Sequence, residues 1–328
     1  MCTPKLSFAV VIPTLNAAQQ WETLSSALSQ QSLQPSQTLI LDSTSDDNTS
    51  ELASAVGYEV LSIPRKEFNH GLTRQIAIDR LTNVDVVVFL TQDAELNGVD
   101  SLKNIVKIFA DPTVGAAYGR QIVRRGANAV EAHARLFNYP PVSQVNTWED
   151  RHRLGIKAAF LSDSFSAYRR TAQLNVGGFP HTIIAEDALV AAKMLMAGWK
   201  TVYVADAVVV HSHHYTIREE FGRYFDTGVY HARESWLLEN FGSVSEKGLS
   251  YVLSELKYVL KHDPLQLPST IVRNAAKFVA YNLGRNEAKL SFRMRRRLSM
   301  QKSFWDADLS TRDSSCIRGQ ATASSPHD

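Results

Sequence analysis

The chain has 328 residues, of which 44% are hydrophobic, and its 35 Lys and Arg against 33 Asp and Glu give a formal net charge of +2. This length allows one large domain or two, and neither the composition nor the net charge indicates a nucleic-acid-binding or disordered protein. The two cysteines, Cys2 and Cys316, lie near opposite ends and offer neither a disulfide framework nor a metal-ligand spacing, which fits a reducing compartment.

The sequence shows no targeting or membrane-spanning segment. The first apolar run, from Phe8 to Ile12, is too short for a signal peptide and runs into Pro13. No apolar run approaches the roughly 18 residues that a membrane-spanning helix needs. We therefore expect a soluble or peripheral protein of the cytoplasm.

The first half of the chain alternates strand and helix patterns. Strands are predicted at residues 8–12, 38–41, 58–63 and 84–90, and helices at 21–28, 50–56, 73–81 and 102–109. Such alternation favours βαβ units and a mostly parallel sheet. No glycine fingerprint of the G-x-G-x-x-G type follows the first strand, which argues against a dinucleotide-binding protein.

The second half is less regular. Strands are predicted at 116–119, 160–168 and 201–210, a helix at 187–197, and mostly helix from 217 to 298, whereas 124–155 has no clear pattern. We expect a catalytic domain at 1–215, a helical carboxyl-terminal region at 216–300 and a disordered tail at 301–328.

One buried strand ends on a carboxylate. The run Val86–Leu90 is typical of a strand covered on both faces, and Thr91, Gln92 and Asp93 follow it. Open α/β sheets bind ligands at the carboxyl ends of their strands, where one oxygen ligand can hold a hard divalent cation against a diphosphate. The alternative is that Asp93 only caps the loop.

Polar segments follow the other predicted strands in the same way. They lie at residues 13–16, 42–49, 68–74, 186–187 and 211–214. Each segment alone is weak evidence, because loops at strand ends are commonly polar. Their order along the chain is more informative than any one of them.

That order resembles the inverting family 2 glycosyltransferases, which have the GT-A fold, and most closely their bacterial rhamnosyltransferases that use dTDP-L-rhamnose. The resemblance covers roughly residues 6–235 and rests on the segments VVIPTLNA, LDSTSDDNT, FNHGLTRQIAI, FLTQDA, FSAYRR, GGF, AED, VVHSHHYT and REEFGRYFDTGVYH. It implies a Rossmann-like, mostly parallel sheet flanked by helices, with a helical extension. The FNHG and TQDA variants point to a deoxysugar donor.

The resemblance implies a donor site built from residues after several strands. Asp42 would accept a hydrogen bond from a pyrimidine base, unless it closes an Asx-turn, and Thr14 and Asn16 would line the same pocket. His70, Gly71 and Arg74 open a helix whose amino terminus and guanidinium would favour phosphate. The remaining residues assigned to donor binding are Thr91, Gln92 and Asp163.

The resemblance also implies a metal ion and a catalytic base. Many relatives have D-x-D where this chain has Thr91-Gln92-Asp93, so Asp93 would hold Mg²⁺ or Mn²⁺ with help from His211 or His213. Either histidine could instead be a packing residue. Asp187 is the expected base, with Glu186 as its rival, and Asp187 could also be only a helix cap.

The expected function is therefore metal-dependent transfer of L-rhamnose to a hydroxyl of a lipid-linked glycan acceptor in surface polysaccharide synthesis. The alternatives are another donor, such as UDP-glucose or UDP-galactose, and a non-catalytic subunit that binds a nucleotide sugar. The segment 285–302, with seven cations against Glu287, could lie on an anionic membrane or be a solvated helix face. Nucleic acid is not an expected partner.

Overall fold

The computed structural model describes residues 6–242 and 245–306. Cys2, Cys316 and most of the expected tail therefore lie outside the described residues. The first half of the chain forms β1 (Phe8–Thr14), α1 (Trp21–Ser29), β2 (Gln37–Asp42), α2 (Thr49–Ala55), β3 (Glu59–Ser62), α3 (His70–Arg80), β4 (Val86–Leu90), β5 (Glu95–Leu96), α4 (Ser101–Val106), β6 (Val114–Ile122), α5 (Ala129–Asn138), β7 (Gln144–Asn146) and α6 (Arg151–Leu154).

The second half forms β8 (Phe165–Arg169), α7 (Arg170–Asn175), α8 (Glu186–Met196), β9 (Lys200–Val210), α9 (Ile217–Arg233), α10 (Ser235–Phe241), α11 (Ser245–His262), α12 (Leu267–Arg285) and α13 (Phe292–Leu298). The unpatterned stretch 124–155 contains α5, β7 and α6, which are too short or too polar to give a clear period. In the described part of the chain, no helix is both long and apolar enough to cross a membrane.

The strands form one mixed sheet in the order β3-β2-β1-β4-β8-β6-β9-β5, with β7 also paired to β9. The strands β3, β2, β1 and β4 are parallel, as the alternating pattern predicts. The strand β8 is antiparallel to both of its neighbours, β4 and β6. The carboxyl ends of β1, β2 and β4 therefore lie at one edge, next to the loop before β8.

Both faces of the sheet are covered, which explains the unbroken apolar run of β4. Val86, Val88 and Leu90 pack on one face with residues of α1 and α4, and Val87 and Phe89 pack on the other with residues of α3 and α8. Burial of these five side chains stabilises the fold by about 25 cal/mol for each Å² of apolar surface that is removed from water. The sheet is thus the rigid platform of the site.

The carboxyl-terminal helices share a core with the rest of the chain. Leu189 of α8, Phe225 and Val229 of α9 and Ala280 of α12 belong to one buried cluster, and Trp305 is fully buried within it. The expected disordered tail from residue 301 therefore starts too early. Residues 301–306 are tied to this core because Trp305 finds an apolar site there, and 307–328 lie outside the described residues.

Candidate active site

A short antiparallel strand pairing brings together two segments that are distant in the sequence. The strand β5 is antiparallel to the end of β9, with Glu95 opposite Val210. Asp93 lies just before β5 and His211 just after β9, so the antiparallel register places them side by side. The two residues are 118 positions apart in the sequence (211 minus 93), and only this pairing makes them neighbours.

The residues Asp93, His211 and His213 form a cluster that could hold a metal ion, because their ligand atoms all lie within 4.8 Å of one another. Nε2 of His211 is 3.3 Å from Oδ2 of Asp93, and Nε2 of His213 is 3.5 Å from the same oxygen. The carboxylate and substrate phosphates are oxygen ligands that suit Mg²⁺ or Mn²⁺, and the two imidazoles favour a transition metal such as Mn²⁺ over Mg²⁺. These are the three residues assigned to metal binding from the sequence.

The orientation of His211 is set by a buried amide. Nε2 of Gln121 donates to Ser162, so Oε1 of Gln121 faces Nδ1 of His211 at 2.9 Å. The imidazole therefore donates from Nδ1 to Gln121 and directs Nε2 at Asp93; metal-binding histidines usually donate their other ring N–H to a protein oxygen in this way. The space between Nε2 and the carboxylate then takes either a proton or a metal cation.

The protonation states around this cluster suit a cation. Burial raises the pKa of Asp93, but the hydrogen bond and charge of His211 outweigh burial and hold the pKa well below its usual range. Burial, together with the charge of His211, lowers the pKa of His213 to about 4. At neutral pH the cluster thus presents a carboxylate and a neutral imidazole.

The residues assigned to the nucleotide lie close together, and their side chains form hydrogen bonds within the loops after β1 and β2. Thr14 and Asp42 are paired across β1 and β2, and Asp42 accepts hydrogen bonds from the Thr14 hydroxyl at 3.1 Å and from the Ser45 backbone N–H at 2.9 Å. Asp42 is 2% exposed. Asn16, at φ 52°, accepts a hydrogen bond from the Asp46 backbone. The Asp42 carboxylate therefore closes the loop after β2 through the N–H three residues on, which differs from the i+2 bond of an Asx-turn.

Gln92 has a structural partner. Its amide oxygen accepts a hydrogen bond from the backbone N–H of Leu15 at 2.7 Å, and its nitrogen donates to the carbonyl of the same residue at 3.1 Å. Gln92 therefore ties the loop after β4 to the loop after β1, instead of presenting its amide to a donor as predicted. Thr91 lies in the wall of the large cavity described below.

At the start of α3, where the sequence predicts phosphate binding, two backbone donors already have a partner. The side chain of Asn69 accepts hydrogen bonds from the backbone N–H groups of Gly71 and Leu72, so the helix amino terminus is already capped. A Cβ on Gly71 would lie 2.0 Å from the carbonyl oxygen of Pro180. Glycine is needed here for close packing of two backbones and not for the approach of a ligand. His70 lines the cavity, and burial lowers its pKa to about 4.

Arg74 is also placed differently from the prediction. It is 4% exposed, and its guanidinium contacts Glu186 at 2.5 Å and Asp163 at 3.1 Å. A buried cation held between two carboxylates is engaged with the protein, so its role is to neutralise those acids and to position them. The sequence did not reveal this, because the two acids lie 89 and 112 residues further along the chain (163 and 186 minus 74).

Asp163 faces the protein interior. It is 3% exposed and accepts hydrogen bonds from the hydroxyls of Ser166 at 2.6 Å and Tyr168 at 2.7 Å, in addition to its contact with Arg74. Burial raises its pKa, and Arg74 opposes that effect. These contacts support a positioning role for Asp163, and since Asp163 also lines the large cavity described below, its contact with a sugar stays a prediction.

Asp187 is partly exposed, whereas Glu186 and Asp163 are buried. It is the second residue of α8, it follows Ala185 in a left-handed conformation at φ 59°, and it lines the large cavity. Its oxygens accept backbone hydrogen bonds from Ala188 at 2.8 Å and Asp163 at 3.1 Å. Burial, with the charges of Glu186 and Asp163, raises the pKa of Asp187 to about 8. A carboxyl group with that pKa is poised to exchange a proton near neutral pH.

The cavity that joins these groups has a volume of about 960 Å³ and lies between the sheet edge and the helices α5, α8, α9, α11 and α12. It is large enough for two sugar-sized ligands. His213 and Asp187 line it, together with residues that the sequence did not single out, among them Arg135, Tyr139, Arg223 and Tyr251.

Arg223 is one of the cavity-lining cations that the sequence did not single out. It is exposed, contacts the ring and hydroxyl of Tyr215, and its charge contributes to lowering the pKa of both His70 and His213. The positive charge of Arg223 is therefore close enough to act on His70 and on His213, which both line the cavity. The signal that could have revealed it is its place in the segment REEFGRYFDTGVYH, which is part of the family resemblance.

Comparison with known proteins agrees with this geometry. A model described as "Glycosyltransferase like family 2" matches residues 4–231. The O-antigen chain rhamnosyltransferase RfbN of Salmonella typhimurium is 44% identical over 303 residues, which are 92% of this chain and 96% of that protein. The O-antigen chain rhamnosyltransferase WbaN of Salmonella anatum is 43% identical over 302 residues, with the same shares of the two chains.

Solved structures share the architecture. The mannosyltransferase PcManGT from Pyrobaculum calidifontis, in complex with GDP-Man and Mn²⁺, aligns with a TM-score of 0.52 at 20% identity over 92% of this chain and 86% of that one. Residues 1–349 of TarS from S. aureus, in complex with UDP-GlcNAc, align with a TM-score of 0.51 at 16% identity over 87% of this chain and 92% of that one. At these identities the likeness shows the fold, and the expected GT-A architecture is confirmed.

Proposed function

Because the chain belongs to the family 2 glycosyltransferases, we propose that it transfers L-rhamnose to a glycan acceptor in O-antigen synthesis. The observation that carries this proposal is the 44% identity, over 92% of the chain, to an O-antigen chain rhamnosyltransferase. The cavity supports it, because a cluster that could bind a metal ion and an acid with a raised pKa line or border the same space.

The donor we propose is dTDP-L-rhamnose, held with Mg²⁺ or Mn²⁺. Asp93, His211 and His213 would hold the metal, which when bound supplies positive charge to the diphosphate of the donor. PcManGT binds Mn²⁺ together with its nucleotide sugar, which supports metal dependence here. Thr14, Asn16 and Asp42 remain the proposed contacts of the pyrimidine nucleoside, at the ends of β1 and β2.

Arg223 is the proposed second cation of the donor diphosphate, in place of Arg74. Arg74 also lines the cavity, but it is buried and paired with Asp163 and Glu186, whose two negative charges offset the attraction that its guanidinium would exert on a phosphate. Arg223 lines the cavity within the electrostatic reach of His213 and His70. A planar guanidinium there can bind two phosphate oxygens at once and stabilise the charge that develops on the leaving group.

Asp187 is the proposed general base. The acceptor hydroxyl oxygen would attack the anomeric carbon of the sugar while the bond from that carbon to the diphosphate oxygen breaks. The hydroxyl proton would pass to Asp187, and the bonding electrons would leave with the nucleoside diphosphate. A single displacement of this kind inverts the anomeric configuration. Glu186 cannot easily take this part, since Arg74 holds it at 2.5 Å.

The acceptor is proposed to be a lipid-linked glycan, and the site of action the cytoplasmic face of a membrane with an anionic surface. The cavity reaches from the metal cluster to α11 and α12, where Tyr251 and Gln266 offer an aromatic ring and an amide to sugar hydroxyls. Aromatic rings and amides are the groups that saccharides commonly meet in proteins.

The decisive experiment measures dTDP release from dTDP-L-rhamnose by the purified chain, with Mg²⁺ or Mn²⁺ and a lipid-linked acceptor. We expect turnover that needs acceptor and metal, with UDP-glucose and UDP-galactose as control donors. Thermal unfolding in the presence of each donor reports binding separately from turnover. Transfer from a UDP-sugar in preference to dTDP-L-rhamnose would refute the proposed donor.

A second candidate is a non-catalytic subunit that binds a nucleotide sugar. The observation that favours it is Thr91, which stands where many relatives have the first acid of D-x-D, so the metal cluster carries one carboxylate. Donor-induced stabilisation without any turnover, under all acceptor and metal conditions, would support this candidate. Unchanged turnover in Arg223→Gln would separately remove that residue from the proposal, with Arg218→Gln as the control from the same helix.

A further inference from the structure

Two of the three charged side chains of the helix α12, those of Arg273 and Lys277, are directed toward the protein, whereas Arg285 at its end is exposed. Arg273 contacts Glu220 of α9 at 2.9 Å, and Lys277 contacts the same carboxylate at 3.3 Å. Asn274 donates a hydrogen bond to Glu255 of α11 at 2.6 Å. Lys277 and Glu255 are buried, at 7% and 0% exposure. This is the reverse of an ordinary surface helix, whose charges face water.

Two glycines fix the rotation of α12 against α9. A Cβ on Gly284 would lie 2.1 Å from the carbonyl oxygen of Phe225, and a Cβ on Gly228 would lie 2.2 Å from that of Tyr281. The two backbones are therefore in direct contact at this crossing, and any turn of α12 about its axis would bring a side chain into it. Together with the ion pairs, this contact determines which residues face outward.

The outward face of α12 is apolar. Ile271, Val272, Phe278 and Val279 are 53%, 54%, 70% and 50% exposed, and the described α12 residues that share this face with them are Pro268, Ala275 and Asn282, none of which is charged. Single exposed apolar residues are normal on a protein surface, but a face of this extent marks an interaction site.

The neighbouring segment continues the pattern. On α11, Leu249, Leu253 and Leu260 are exposed at a spacing of four and seven residues, which places them on one side of the helix. Leu265, in the turn that joins α11 to α12, is 91% exposed. We call α11, this turn and α12 the helical hairpin. Its two helices contact each other, so its outer apolar side chains belong to one structural unit.

The charges around the helical hairpin indicate what covers it. In residues 248–300 the three acids Glu255, Asp263 and Glu287 are all buried or half-buried, whereas the exposed cations include Lys257, Lys261, Lys289, Arg293 and Arg297. A second copy of this chain would bring cations toward cations. An anionic lipid surface instead offers opposite charge at the headgroups and an apolar layer beneath them.

We propose that the helical hairpin is the membrane-contacting element of this protein, with the outer face of α12 and Leu265 in contact with the lipids of an anionic bilayer. The proposal rests on the proposed function in one respect, because a lipid-linked acceptor requires the enzyme to work at a membrane. It also relocates the contact expected from the sequence: in the basic segment 285–302, Arg295 is paired with Glu287 and Arg296 with Asp306. Two of the cations in this basic segment therefore form ion pairs within the protein.

The test measures sedimentation of the full chain with vesicles of phosphatidylglycerol mixed with phosphatidylcholine, and with vesicles of phosphatidylcholine alone. We expect binding to the anionic vesicles that weakens with added salt. In the double variant Phe278→Gln and Val279→Gln, binding should fall at least about tenfold, because two large apolar contacts are lost. Glutamine is a good helix former, so the fold of α12 is kept.

The matched control is the double variant Leu174→Gln and Met196→Gln, which also removes two exposed apolar side chains from helices, here α7 and α8. It should bind vesicles as the unaltered chain does. Donor-induced thermal stabilisation should be equal in all three proteins, so a failure of the proposed function would appear there and not in vesicle binding. Vesicle binding that is absent in the unaltered chain, or unchanged in the α12 variant, would overturn the proposal.

Two further results distinguish the other possible occupants. If Arg293→Gln with Arg297→Gln abolishes binding while the α12 variant binds normally, the basic segment is the contact and the proposal is wrong. Likewise, a chain that is dimeric in solution, and that the α12 variant converts to a monomer without any vesicle binding, would assign the face to a second copy.

Discussion

At the scale of single residues, two adjacent carboxyl groups have different environments. Glu186 is held by Arg74 at 2.5 Å, so its charge is neutralised by a buried guanidinium. Asp187 receives only backbone hydrogen bonds, and burial next to other acids raises its pKa to about 8. When neighbouring acids are separated in this way, the one with the raised pKa is the better candidate for proton transfer near neutral pH.

Replacing Asp187 by Asn should therefore lower kcat by a factor of about 10² to 10⁴ while leaving donor binding in place. In the unaltered chain, kcat/KM should rise with pH and level off above a midpoint near 8, because the base must be ionised to accept the proton. Steady-state kinetics across this range test both points.

The control for that prediction is Glu186→Gln, which leaves Arg74 with Asp163 as its remaining paired acid. We expect it to lose mainly stability, by about 3 kcal/mol, since breaking a buried ion pair leaves a poorly compensated charge. The assignment would be reversed if Asp187→Asn kept full turnover and Glu186→Gln lost it at unchanged stability.

Gln121 gives a second prediction at the residue scale. Its carbonyl orients His211 through Nδ1 at 2.9 Å. In Gln121→Ala the imidazole loses that partner, and metal affinity should fall by about 10- to 100-fold, as it does when other residues that hydrogen-bond a metal-binding histidine are removed. Calorimetric titration with Mn²⁺ measures this change. Asp93→Ala, which removes a direct ligand, should show the larger loss, and a Gln121→Ala affinity equal to that of the unaltered chain would refute the role.

At the scale of elements, short structures decide the site. The strand β5 has two residues, yet its pairing with β9 is what sets Asp93 beside His211. Such a short apolar segment has no period that a sequence pattern could reveal. The helices α9 and α12 show the opposite case, since both are long and lie in the stretch 217–298 that is predicted to be mostly helix, but their contact depends on Gly228 and Gly284.

Gly284→Ala should destabilise the protein by about 2 kcal/mol or more, because its Cβ would lie 2.1 Å from a backbone carbonyl. Gly248→Ala is the matched control in α11, where a Cβ would meet nothing within 4 Å. That change should stabilise by about 0.5–1 kcal/mol through helix propensity. Urea unfolding measures both, and equal effects of the same sign would contradict the close crossing of α9 and α12.

At the scale of the whole molecule, buried acids make stability depend on pH. Asp226 of α9 is fully buried, and burial raises its pKa to about 6, against backbone hydrogen bonds from Met300 and Gln301. An acid whose folded pKa is raised binds its proton more tightly in the folded state. Its ionisation therefore costs stability as pH rises between the unfolded value of about 4 and the folded value.

Asp93 acts in the opposite direction, since its lowered pKa contributes stability that is lost as pH falls below about 4. Burial also lowers the pKa of His70, His213 and His231 to about 4, so the stability that these neutral imidazoles contribute is lost as pH falls from about 6.5 to 4. Stability should therefore be greatest at about pH 6 to 7, decrease below that range as the histidines bind protons, and decrease up to pH 8 because the folded state holds the proton of Asp187. Thermal unfolding from pH 4 to pH 9 tests this shape. Relative to the unaltered chain, Asp226→Asn should gain up to about 3 kcal/mol of unfolding free energy between pH 4 and pH 6, and a difference that stays constant over this range would exclude Asp226 as a source of the pH dependence.

The sequence by itself determined the alternating α/β architecture, the buried strand β4 and the polar segments at strand ends, because these depend on local periodicity and on the order of motifs. Through the family resemblance it also singled out Asp93, His211 and His213, which the structure brings together, and Asp187, which lines the cavity; their roles stay predictions. Which polar residues remain available was decided by the tertiary structure alone. Arg74 forms an ion pair with Asp163, and Gln92 is hydrogen-bonded to the backbone of Leu15. The first backbone N–H groups of α3 donate to the side chain of Asn69.

The outward apolar face of α12 was likewise hidden in the sequence. Its pattern of apolar and charged residues is that of any amphipathic helix, and it does not say which side faces the protein. The ion pairs of Arg273 and Lys277 with Glu220, and the contact of Gly284 with α9, resolve that choice. The physical reason is the same in every case: a pairing between residues far apart in the chain depends on packing, and packing is not encoded in any local period.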